Sequence, residues 1–162
     1  MGVYKYLTMI ELKNGDQVEV FRVSPISENI EVSNYLKNAV NNGIKAGICS
    51  NKTKWDDKKV GAIVMTKNNI VIGIISYHLD PDTGNNKLTL KILMGHITPE
   101  YREIGAYGVL HRELEKFAIE KKYDGILSYV RIKNKHMMDM LKTLKKDIFI
   151  VGTYRTLSNN NE

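Results

Sequence analysis

The chain has 162 residues, 43% of them hydrophobic and 26% charged, with a formal net charge of +6. This length and apolar content fit one domain with a real core, and no apolar run approaches the roughly 18–20 residues that span a bilayer. One cysteine, Cys49, excludes an internal disulfide framework and points to a reducing compartment.

The N-terminus, Met1 to Tyr6, lacks the apolar core and cleavage site of a signal peptide. Tyr6 stands where a myristoylated N-terminus carries Ser or Thr, so a cytoplasmic protein is expected. Tyr4 to Leu12 and Gln17 to Val23 read as strands, joined by the tight-turn sequence Asn14-Gly15-Asp16. Pro25 closes the second strand. Val32, Tyr35, Leu36, Ala39 and Val40 recur at helical spacing, with Gly43 as the expected stop. The stretch from Gly43 to Asp57 fits either a short helix or a loop. Val60 to Thr66, Ile70 to Leu79 and Leu88 to Ile97 form an expected antiparallel meander.

The period then changes. Ile104, Tyr107, Leu110, Leu114, Phe117 and Ala118 make one apolar stripe, predicting a helix over about 104–121 with His111, Arg112, Glu115, Lys116 and Lys122 on polar faces. Ile126 to Ile132 reads as a strand. Asn134 is placed to cap a helix carrying Met137, Met138, Leu141 and Leu144. Ile148 to Leu157 reads as a last strand, and 158–162 as a disordered tail. Residues 1–157 form a single expected domain, an α+β fold around a mixed, mainly antiparallel sheet. The strand–helix–strand unit within it makes Leu88–Ile97 and Ile126–Ile132 a parallel pair.

The lysines are spread along the chain, with small clusters at Lys58-Lys59, Lys121-Lys122 and Lys145-Lys146 and no continuous basic block. That pattern fits a solvated surface, and no nucleic-acid partner is expected. His78, His96, His111 and His136 lack metal-ligand spacing. Asp80-Pro-Asp82-Thr-Gly84 lacks the glutamate that closes a calcium loop, so it reads as a hairpin turn.

The informative segment is Ile97-Thr-Pro99-Glu-Tyr-Arg102-Glu-Ile-Gly105-Ala-Tyr-Gly108. A strand ends, Pro99 stops its ladder for want of an N–H, and a glycine-lined helix start follows. Such a start carries free N–H groups and partial positive charge, and so suits phosphate. Arg102 adds a cation. The plain alternative is a strand-to-helix bend eased by glycine.

This stretch resembles the central motif of the GCN5-related N-acetyltransferase family, Arg/Gln-x-x-Gly-x-Gly/Ala after Val-x-Pro-x-x-Arg. Leu110, Leu114, Phe117-Ala118, Asp124-Gly125, Ile126 to Val130 and Asn134 continue the similarity, over about residues 60–145. The resemblance implies two splayed parallel strands and acetyl-CoA as cosubstrate. The pantetheine arm would pair with strand residues from Gly95 to Ile97. The pyrophosphate would sit on the N–H groups of Glu103, Ile104, Gly105, Ala106, Tyr107 and Gly108, beside Arg102, with Asn134 on the other side. The implied acceptor is a primary amine on a small molecule or peptide, and a homodimer is compatible with this. Two departures stand out. Tyr107 occupies the second-glycine position, where its bulk would crowd the phosphates unless it points down the apolar stripe, and Glu103 puts a carboxylate nearby. The family's usual acid on the preceding strand is missing, with Lys91 in that region, and Leu141 stands at its usual tyrosine. His96, beside the splay, is the expected proton-transfer candidate, with Tyr154 a weaker one. The competing expectations are a degenerate acyl-CoA-binding protein and, lower, a small basic nucleic-acid-binding protein.

Overall fold

The computed structural model describes residues 2–130 and 134–144. The expected last strand, Tyr154 within it, and the expected tail lie outside the described residues. Six strands form one sheet in the order β1 (Val3–Glu11), β2 (Gln17–Ser24), β3 (Val60–Lys67), β4 (Ile70–His78), β5 (Thr89–Ile97) and β6 (Gly125–Leu127). Strands β1 to β5 pair antiparallel with their neighbours, and β5 pairs parallel with β6. Helix α1 (Ile30–Lys45) covers one face, and α2 (Ala106–Glu120) covers the other. Helix α3 (Lys135–Thr143) lies on the α2 side, where Met137 and Met140 pack against the core.

Local chemistry explains the boundaries. Gly15, at φ 86, turns the β1–β2 hairpin, which closes with Leu12 N–H to the Asp16 carbonyl at 2.8 Å. Asn29 caps α1 by accepting from the Val32 N–H. Helix α1 does not stop at Gly43 as the sequence suggests. It ends two residues later, through Gly47 at φ 72, with Ile48 N–H bonding the Gly43 carbonyl and Gly47 N–H the Ile44 carbonyl. That double bond with a left-handed glycine is a Schellman stop. Gly43 is small for another reason: a Cβ there would lie 2.5 Å from Cys49 Sγ.

Two apolar clusters flank the sheet. Leu110, Leu114 and Ala118 of α2 pack on Val20, Ile63, Ile75 and Leu90, while Val32, Leu36 and Val40 of α1 pack on Val23, Val64 and Ile74. Strand β3 is buried on both sides from Val60 to Thr66, which explains its unbroken apolar run. His111 departs from the expected polar face: it is buried on α2, with Nδ1 3.1 Å from Glu115 Oε1.

A bulge shapes β5. Ser76 pairs with Met94 but Tyr77 with Ile92, so Leu93 is an extra residue. Leu90, Ile92 and Ile97 accordingly reach the α2-side core, whereas Leu93 and Met94 reach the α1-side core. Strand β6, Gly125–Leu127, is shorter than the strand expected over Ile126 to Ile132. Asp124 clamps its start, giving N–H to the Leu88 carbonyl and accepting the Leu88 N–H, each at 2.7 Å. Pairing then runs from Thr89↔Gly125 to Lys91↔Leu127 and ends. Strand β5 continues to Ile97 with no described strand alongside it on that side. Among the described residues the parallel pairing therefore stops at Lys91, well short of the end of β5.

Candidate functional site

The open edge of β5 leads directly into the glycine-bearing turn. Thr98 N–H still bonds the Ile72 carbonyl, at 2.9 Å. Pro99 then starts a 3-10 turn over Pro99–Tyr101, in which Tyr101 N–H bonds the Thr98 carbonyl. Glu103 and Gly105 take left-handed backbone, at φ 64 and φ 89, and α2 begins at Ala106. The first helical bond is Val109 N–H to the Gly105 carbonyl, at 3.2 Å. Residues 102–105 form turns, and among the described residues no N–H group of 103–108 donates a close, well-aligned backbone hydrogen bond. This run of N–H groups lies at the positive end of the α2 dipole, which suits an anion.

The two glycines of this turn serve different needs. Gly105 is required by its backbone, because φ 89 strains any L side chain. Gly108 has ordinary helical backbone, and a Cβ there would meet only Arg112 Nη1, at 3.9 Å. Nothing within the described protein requires it to be small, so its bare backbone leaves room for a ligand. The residues present thus fit a pyrophosphate.

Tyr107 does not crowd this run. Its side chain is nearly buried, its ring lies on Gly95, and a Cβ on Gly95 would sit 2.6 Å from Tyr107 Cε2. Burial pushes its phenol up to about 12. Ala106 is buried, and Ile104 packs on the α2-side core. Glu103 is exposed. Arg102 is also exposed and folds back, its Nε donating to the Ile97 carbonyl at 2.9 Å, so part of the guanidinium holds the turn closed. Asn134 caps α3, its Oδ1 accepting the Met137 N–H at 3.2 Å.

The bulge at Leu93 turns His96 toward α1. There its half-buried imidazole meets the ring of Tyr35 edge-on, with centroids 5.7 Å apart. Burial, and then the Arg102 guanidinium, hold its pKa below the usual imidazole value, so it is neutral at pH 7. The Tyr35 hydroxyl lies 2.9 Å from Thr98 Oγ1. Tyr35 thus ties α1 to the end of β5. In the sequence it shows only as one apolar position of a helix, and no residue pattern marks it. Cys49 Sγ lies 3.9 Å from Met94 Sδ on the same side. Leu141 is buried. Among the described residues no cluster of His, Cys, Asp and Glu could hold a metal ion, and no helix is long and apolar enough to cross a membrane.

No protein-family model matches the chain, and neither does any curated protein sequence. Solved structures do match it in fold. An aminoglycoside acetyltransferase from an uncultured soil metagenomic sample, in complex with trehalose, has TM-score 0.65 and 13% identity, covering 87% of this chain and 97% of its own. The ribosomal-protein-alanine N-acetyltransferase of Brucella melitensis biovar Abortus 2308 has TM-score 0.63 and 10% identity, covering 86% and 99%. The aminoglycoside N-acetyltransferase AAC(6')-Iy in complex with CoA has TM-score 0.62 and 13% identity, again covering 86% and 99%. The chain therefore has the fold of the GCN5-related N-acetyltransferases.

Proposed function

We propose that this protein is a cytoplasmic acyltransferase, a single domain over residues 1–157, that moves an acetyl or similar acyl group from acyl-CoA to a primary amine of a small molecule or peptide. The observation that carries this reading is the conjunction of the early stop of the parallel pairing with the donor run. An open edge on β5 suits an extended amide-bearing arm, and it ends at a turn whose N–H groups from Glu103 to Gly108 suit a pyrophosphate. Gly95 and Ile97 lie on the first part and Arg102 beside the second, and Asn134, which caps α3, would contact the cofactor from the other side. The fold shared with acetyltransferases, one of them solved with CoA, supports the same reading.

Amine acylation needs the amine to lose a proton and the leaving thiolate to gain one. Strand β5 carries no carboxylate, and Leu141 has no proton to give. Catalysis then rests on positioning, on backbone N–H groups that polarise the thioester carbonyl, and on water. His96, neutral at pH 7, is the nearby side chain able to accept a proton. With water carrying most of the proton flux, His96→Ala lowers turnover by about tenfold at most. A loss of about a hundredfold or more marks His96 as the base. In that case activity falls as the medium is acidified through a limb below about 6.5, because burial disfavours the imidazolium. A pH–rate profile of the wild type and His96→Ala separates the two.

The missing acid and the buried Leu141 also favour a second reading, an acyl-CoA-binding protein without turnover. Free-thiol release from acetyl-CoA, screened over aminoglycosides, polyamines, other small amines and peptide N-termini, tests the first reading. Amine-dependent thiol release supports acyl transfer. CoA binding with no release over every amine class supports the second reading instead.

A further inference from the structure

The β1–β2 hairpin tip lies against the donor run, far from it in sequence. The Lys13 N–H bonds the Ile104 carbonyl at 3.3 Å. Its side chain runs past Gly105, with Cγ 4.0 Å and Cε 3.7 Å from where a Gly105 Cβ would stand. The tip is held there from both sides. Leu12 is buried in the α2-side core, and the Asp16 carboxylate pairs with Lys67 Nζ at 2.8 Å. Lys67 in turn sits over the Tyr101 ring, 5.6 Å from its centroid.

The cations around the turn are differently employed. Lys67 is engaged by Asp16. Arg102 spends its Nε on the Ile97 carbonyl. Lys13 pairs with no carboxylate among the described residues. Its ammonium is one bond beyond a Cε already at the mouth of the donor run.

We propose that Lys13 is a pyrophosphate-binding residue of the acyl-CoA site, supplied by the β1–β2 hairpin rather than by the glycine-bearing turn. This rests on the acyl-CoA reading above and adds a second segment to the site. The hairpin tip lies against the run at Ile104 and Gly105. A lysine point charge there complements donors that carry no formal charge of their own.

The test is calorimetric titration of the full chain with acetyl-CoA and with 3′-dephospho-CoA, for the wild type, Lys13→Gln and Lys13→Arg. Lys13→Gln is expected to weaken acetyl-CoA by about tenfold, as for one lost charge-assisted contact, and to weaken 3′-dephospho-CoA equally. Lys13→Arg is expected to retain most of the affinity. Lys13→Gln should also flatten the dependence of affinity on salt, because one ionic contact is gone. Equal affinity of wild type and Lys13→Gln overturns the assignment and leaves the acyl-CoA reading standing. A loss seen with acetyl-CoA but absent with 3′-dephospho-CoA also overturns it, by moving the contact to the 3′-phosphate. A wild type that binds neither ligand overturns the acyl-CoA reading, and the assignment with it.

Discussion

Gly105→Glu is expected to reduce acetyl-CoA binding by about a hundredfold or more, near 3 kcal/mol at about 1.4 kcal/mol per tenfold. Two effects combine. The backbone at φ 89 strains any L residue by about 1–3 kcal/mol, which shifts the neighbouring N–H groups. The new carboxylate also lies at the mouth of an anion site and repels phosphate. Gly105→Ala separates these, because it carries the strain without the charge. Calorimetric titration and thermal melts of both variants should show similar losses of stability but a much larger loss of affinity in Gly105→Glu. Wild-type affinity in Gly105→Glu would move the phosphate site elsewhere in the molecule.

Gly95→Ala should damage the packing at this end of the sheet. Its Cβ would lie 2.6 Å from Tyr107 Cε2 and 2.9 Å from the Tyr107 hydroxyl oxygen. The ring is pinned in the α2-side core, so the clash falls on packed atoms. Overpacking of this kind costs about 1–3 kcal/mol, a fall in melting temperature of roughly 2–12 °C for a domain of this size. The first turn of α2 should shift with the ring and weaken acetyl-CoA binding as well. Adding Tyr107→Leu removes the clash. The double variant should therefore be less destabilised than the sum of the two single changes, measured as a coupling free energy in denaturant melts. Strict additivity would show that Gly95 and Tyr107 do not press on each other.

Much of this arrangement is legible in the residues. Asn14-Gly15-Asp16 specifies its hairpin locally, because Gly15 alone supplies the positive φ the turn needs. The stripe through Leu110, Leu114 and Ala118 specifies α2 for the same reason of local periodicity. The glycine-lined helix start at Gly105 is legible too, though its left-handed backbone shows only in the structure. The rest depends on pairing, which a single strand does not encode. A strict period of two puts Leu90, Ile92 and His96 on one face, but the extra Leu93 reverses the alternation and sends His96 to Tyr35. The run 126–132 is mostly apolar, broken by Ser128 and Arg131, yet Leu127 is the last described residue paired with β5. Apolarity reports burial, not which edge a strand follows. Gly43 is the stop that the sequence suggests, but the left-handed backbone of Gly47 and its Schellman bonds end α1 there, and the approach of Cys49 explains why Gly43 is small. Lys13 lies some ninety residues before the motif it faces, and no local pattern links them.

That the turn from Arg102 to Gly108 binds acyl-CoA is a claim that the melting temperature of the wild-type protein can test. A ligand that binds only the folded state stabilises it by about 2.7 kcal/mol at a hundred times its dissociation constant. For a domain of this size that corresponds to a rise of roughly 5–11 °C. Acetyl-CoA is expected to raise the melting temperature of the wild type by several degrees and that of Gly105→Glu by far less. A wild-type melting curve that saturating acetyl-CoA leaves unmoved would contradict the claim.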